Sequence, residues 1–233
     1  MTSLSRNARV AGAFYLLLAL AGPIRLMYIP NALFVRGDAG ATAANIAAHE
    51  TLVRLGMLAD VFCGVVLIFL TLALYRLFED VDRNLAVLVV VLGGVLPAAI
   101  DFLNVVHDAA ALMLIRGADF LAVFDKPQRE ALAMLFLRLH GQQVIAAEAL
   151  WGLWLFPLAI LILRSGFLPR FLGLWLIVNG VAYLAMSFTG LMVPQYAAAV
   201  SDAALPALFG ELAFILWLVI MGAKEKQPAA AVV

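Results

Sequence analysis

Asp101, Asn104, His107 and Asp108 lie inside an apolar run, residues 85–115, long enough to cross a bilayer. A single Asp at the centre of a spanning helix costs about 2.5–3.5 kcal/mol on insertion scales. At 100° per residue all four side chains fall within an arc of about 120°. They therefore share one face, turned away from lipid. Carboxylates and an imidazole so gathered can bind a polar ligand, relay protons or ligate a metal.

Further polar residues interrupt the other apolar runs. Arg25, Asp60, His140, Gln143, Glu148 and Glu211 each lie in such a run or lead into one. The chain is 66% hydrophobic and 13% charged, with mean hydropathy +1.06. Soluble domains are about 45–50% apolar and about 25% charged. The composition therefore requires an all-α polytopic membrane protein. Net charge is zero, which gives no footing for nucleic acid. The single cysteine, Cys63, sits in an apolar run and leaves no disulfide or thiolate cluster within one chain.

Six spans are expected, at about residues 10–29, 52–78, 85–115, 144–163, 171–193 and 206–222. The first follows Arg6 and Arg9 and is broken by Gly22-Pro23. Ala19-Leu20-Ala21 loosely matches a signal-peptide cleavage site, but the apolar run continues past it, as in a helix that stays. Arg36-Gly37-Asp38 reads as a turn, with Thr42 capping a short Ala-rich helix. Gly93-Gly94 or Pro97 is where the third span would kink. Asp125 with Pro127 starts a helix, and Leu132, Leu135, Phe136 and Leu139 form an apolar stripe opposite Arg129 and Arg138. That helix is either interfacial or an extension of the fourth span, with a bend at Gly141-Gln142-Gln143. Gly173, Gly180 and Ser187 make a small-residue seam for close helix packing.

An even number of spans returns both termini to one side. Arg6, Arg9, Arg76, Arg83, Arg164, Arg170, Lys224 and Lys226 then share that side, against Arg36, Arg54, Arg116, Lys126, Arg129 and Arg138 on the other. The short loops are the basic ones, so both termini are expected in the cytoplasm and the protein in the cytoplasmic (inner) membrane. One six-helix transmembrane domain would cover residues 1–223, and residues 224–233 would form a short cytoplasmic tail, disordered over 228–233.

This topology puts Arg25, Asp60, Asp101, Asn104, His107, Asp108, His140, Gln143, Glu148 and Glu211 toward the outer half of the bundle. A single polar pocket open to the outside would satisfy them together, where scattered exposure to lipid would cost each one separately. The leading expectation is a pocket that binds a small or lipid-like ligand. One alternative is a metal-dependent lipid hydrolase. It would use His107, Asp108, His140, Glu148 and Glu211 as ligands to a divalent metal such as zinc, whose bound hydroxide attacks an ester or amide. Another is a proton-coupled transporter, although no inverted repeat is visible. A third is that Arg25 pairs with Asp60 or Glu211, while Asn104, Gln143 and Asn179 clamp helices, all for packing alone. The expected partners are the bilayer, a lipid or small-molecule ligand and, for transport, further copies of the chain.

Five stretches carry a resemblance over nearly the whole chain. They are Arg36-Gly37-Asp38-Ala39-Gly40-Ala41-Thr42-Ala43-Ala44-Asn45-Ile46, Ala73-Leu74-Tyr75-Arg76-Leu77-Phe78, Leu150-Trp151-Gly152-Leu153-Trp154-Leu155-Phe156-Pro157, Ser165-Gly166-Phe167-Leu168-Pro169-Arg170 and Gly210-Glu211. In these the chain resembles the uncharacterised bacterial integral membrane proteins of domain of unknown function 4386. The resemblance implies a multi-helix membrane protein and supplies no activity. Histidines with intramembrane acids are also similar in type to alkaline ceramidases and adiponectin-receptor hydrolases. Those have seven spans and an HxxxH motif that this chain lacks.

Overall fold

Long apolar runs with few breakers leave the backbone one way to satisfy its polar groups in lipid, the α-helix. In the computed structural model, which describes residues 3–224, six helices are long and apolar enough to cross a membrane. These are α1 (Ser3–Leu33), α3 (Glu50–Phe78), α4 (Arg83–Arg116), α5 (Lys126–Ser165), α6 (Arg170–Met192) and α7 (Pro194–Ile220). The short helix α2 (Ala39–Ala48) connects α1 to α3. Among the described residues there is no strand. Lys226 and residues 228–233 lie outside the described residues, as does all of the expected tail beyond Lys224.

Local signals set most of the boundaries. Gly37 has φ of 78°, a left-handed turn. Asp38 then caps α2, accepting from the Ala41 N–H at 2.8 Å. The cap is thus Asp38 and not the expected Thr42, which lies inside the helix and ties its first turn to the Val35 N–H at 2.9 Å. Asp125 and Gln128 form a reciprocal capping box at the start of α5.

Two boundaries differ from expectation. The fourth span was expected from 144, but α5 runs unbroken from Lys126 through Gly141, so the amphipathic stripe is an extension of the span. The last span was expected from Pro206, but Pro206 lies inside the helix. A proline suits a first turn, yet membrane helices tolerate it within, because neighbours can satisfy the freed carbonyls.

The spans close into a ring. Each packs on its neighbours in sequence, α1 on α3, α3 on α4, α4 on α5, α5 on α6 and α6 on α7, and α7 returns to α1. The start of α1 and the end of α7 meet at one end of the bundle. There the Arg9 guanidinium donates to the Ile220 carbonyl at 3.2 Å, and the Lys224 N–H donates to the Phe167 carbonyl at 3.1 Å. The seam is built on close approach: a Cβ on Gly152 would lie 2.6 Å from the Gly180 carbonyl oxygen, and one on Gly180 would lie 2.9 Å from that of Gly152. Backbone therefore touches backbone between α5 and α6.

Two apolar cores result. One lies at the terminal end and includes Ala8, Tyr15, Leu74, Phe78, Leu158 and Phe214. The other lies toward α2 and includes Leu33, Ile46, Val53, Leu112 and Leu137. Along α1, α3, α4 and α5 a polar layer separates them, at Arg25, Asp60, Asp101 to Asp108, and His140.

Candidate functional site

Arg25 lies at the centre of that polar layer. After Pro23, α1 loosens into a single π turn, Ile24–Tyr28. Such turns insert an extra residue and rotate the face that follows. Ile24, Leu26, Met27 and Tyr28 are all exposed, whereas Arg25 is 6% exposed and points into the ring. The same device recurs opposite. Val91–Val95 of α4 is also a π turn, at the expected glycine pair. Gly93 there lies against Trp154, whose ring a Cβ would approach to 2.3 Å.

The Arg25 guanidinium draws three helices together. Its Nε donates to both oxygens of Asp60 on α3 at 2.8 Å. Its Nη2 donates to Asp108 Oδ2 on α4 at 2.5 Å. The same nitrogen lies 2.9 Å from His140 Nε2 on α5. His140 Nδ1 lies 3.1 Å from that same nitrogen and 3.0 Å from Asp108 Oδ1, so the imidazole bridges the guanidinium and the second aspartate. One guanidinium, two carboxyl groups and one imidazole thus meet from four helices.

A cavity of about 550 Å³ adjoins this cluster. Arg25, Asp60, Asp101 and Cys63 line one end. Tyr15, Trp151, Trp154, Tyr183 and Glu211 line the other. Leu26 and Met27 of α1, and Leu205, Phe209 and Leu212 of α7, line the cavity and are exposed, so its lining includes accessible apolar side chains of both helices.

Glu211 has a different environment from the aspartates. One oxygen accepts from the Tyr15 hydroxyl and the other from Asn179 Nδ2 at 3.2 Å. Tyr183 approaches the same carboxylate. Among the described residues no salt bridge reaches it.

The remaining candidates are dispersed. Asp101 lines the cavity, and its Oδ2 is buried without a partner. Asn104 is buried in the polar layer, with Oδ1 unpartnered. His107 is half-buried and tilts against Phe136, ring centroids 6.4 Å apart. Gln143 donates to the Ile100 carbonyl at 3.2 Å, tying α5 to α4. Glu148 is half-buried on α5 and does not line the cavity. Of the residues considered for a metal, Asp108 and His140 converge, joined by Asp60. One donor atom from each lies within 4.8 Å of the others, and the Arg25 guanidinium sits among them. His107, Glu148 and Glu211 are not part of that group. Tyr15, Tyr183 and the cavity faces of Trp151 and Trp154 were not expected from sequence. In apolar helices aromatic residues look like ordinary core.

Six apolar helices closed into a ring define a multi-pass integral membrane protein. Its family can be named as well: the chain belongs to the domain of unknown function family DUF4386, which matches residues 10–222. Neither a curated protein nor a solved structure matches the chain.

Proposed function

We propose that the protein binds an amphiphilic, lipid-like molecule in the cavity between α1 and α7. The observation that carries this reading is the cavity's own polarity. It has charged and hydrogen-bonding groups at its two inner ends and exposed Leu, Met and Phe side chains in its lining. A pocket with a few convergent polar groups in an apolar wall is the usual form of a ligand site. Accessible apolar lining on two spans suits a ligand that arrives dissolved in the bilayer. The basic short loops support termini in the cytoplasm and a location in the cytoplasmic membrane, with the polar layer then nearer the outer face.

Cys63, the single cysteine, lines the cavity and reports on it directly. An apolar maleimide should label Cys63 in detergent-solubilised protein. A single-chain amphiphile such as dodecanol should slow that labelling, and Leu208→Trp, which fills the cavity, should nearly abolish it. Labelling indifferent to both would overturn the reading. A second reading rests on the convergence of Asp60, Asp108 and His140: a divalent metal held there, with Arg25 swung aside, would support lipid hydrolysis. Calorimetric titration with zinc separates the two, since an Arg25-locked cluster takes up no metal.

A further inference from the structure

The amphiphile-binding reading leaves the head group open, and the two ends of the cavity narrow it. We infer that the ligand's head is an organic cation, an ammonium or quaternary ammonium, seated at Glu211 among Tyr15, Trp151, Trp154 and Tyr183. This inference rests on the cavity reading and specifies its ligand class.

The charge distribution comes first. The Arg25 guanidinium is already shared by two carboxyl groups, and Asp101 has an oxygen without a partner. Glu211 meets only neutral donors. Among the described residues no salt bridge reaches Asp101 or Glu211. A cationic head would give Glu211 the counter-charge it lacks in a medium of low dielectric, and an anionic head would set a second acid against it.

The wall supplies the second argument. Tyr15 and Trp154 stand with ring centroids 5.7 Å apart. Trp151 and Tyr183 stand 5.9 Å apart, edge to face. All four line the cavity beside Glu211, and they come from three helices of the ring. Aromatic faces around a carboxylate attract a cation through the ring quadrupole, most strongly where water is excluded. The π turns support this placement. The one in α4 brings Gly93 against Trp154, fixing that ring in the wall. The hydrocarbon part of such a ligand would lie along Leu205, Phe209 and Leu212.

The test uses the full chain in detergent and protection of Cys63 from an apolar maleimide. Dodecyltrimethylammonium should protect at about tenfold lower concentration than dodecanol of the same chain length, and dodecanoate should protect least. Glu211→Gln keeps the side chain's shape and should bring cation and alcohol within about twofold of each other. Trp151→Leu should weaken the cation's protection and leave the alcohol's unchanged. Equal protection by cation and alcohol in the native protein overturns the inference while the cavity reading survives. Protection by neither overturns both. A preference that survives Glu211→Gln but disappears in Asp101→Asn moves the cation to the other end and also overturns the assignment. Vesicles distinguish the source. Slower labelling in phosphatidylcholine than in phosphatidylglycerol identifies a lipid head group, and equal rates identify a free amphiphilic cation.

Discussion

The two ends of the cavity solve the burial of a carboxylate differently. At one, Asp60 and Asp108 face Arg25 directly, with His140 completing the set. At the other, Glu211 has hydroxyl and amide donors and, among the described residues, no cation. The first arrangement is internally complete and holds α1, α3, α4 and α5 to one another. The second has no cationic partner among the described residues. On the proposed reading the closed cluster serves architecture and the open one serves recognition.

The largest effect should follow from breaking the closed end. Arg25→Met leaves two buried carboxylates unpaired and should cost about 3–5 kcal/mol of stability, read as a lowered unfolding midpoint in detergent. Combining Arg25→Met with Asp60→Asn and Asp108→Asn should recover much of that loss, because a neutral layer lacks the unpaired charge. A triple variant no more stable than Arg25→Met would show that the cluster is not the unit described here. At the open end Tyr15→Phe removes one donor to a carboxylate and should cost about 1.5–3 kcal/mol, measured in the same way. Glu211→Gln should cost least, under about 1.5 kcal/mol, since the amide retains an acceptor for Tyr15. If Glu211→Gln destabilised the protein as much as Arg25→Met, the two ends would be alike and the division into clamp and receptor would fail.

How much of this was legible in the sequence depends on the contrast a residue makes with its surroundings. An Arg, Asp or His in a run of Leu, Val and Ala announces its own cost, so Arg25, Asp60, Asp108 and His140 stood out before any fold was known. Their mutual contact needed the ring closure, which no spacing within one helix encodes. Tyr15 and Trp151 gave no such contrast, because in lipid a helix is apolar on every side and the period that marks a buried face in water is lost. The π turns were half legible. Gly93-Gly94 marked a weak point in α4, but nothing near Arg25 except Pro23 hinted that the helix would loosen there and keep going. Asp38 outcompeted Thr42 as a cap because Gly37 delivers the chain to it in the extended geometry that a cap requires.

Closure of the ring by its first and last members has a consequence for biogenesis. Arg25 meets Asp60 after only 35 further residues, so a nascent chain can neutralise its most expensive side chain while the ribosome is still elongating. Glu211 reaches Tyr15 only across 196 positions, when α7 has left the translocon. The gap beside α1 therefore stays unwalled while α3 to α6 are made, and the cavity is completed only with the insertion of α7.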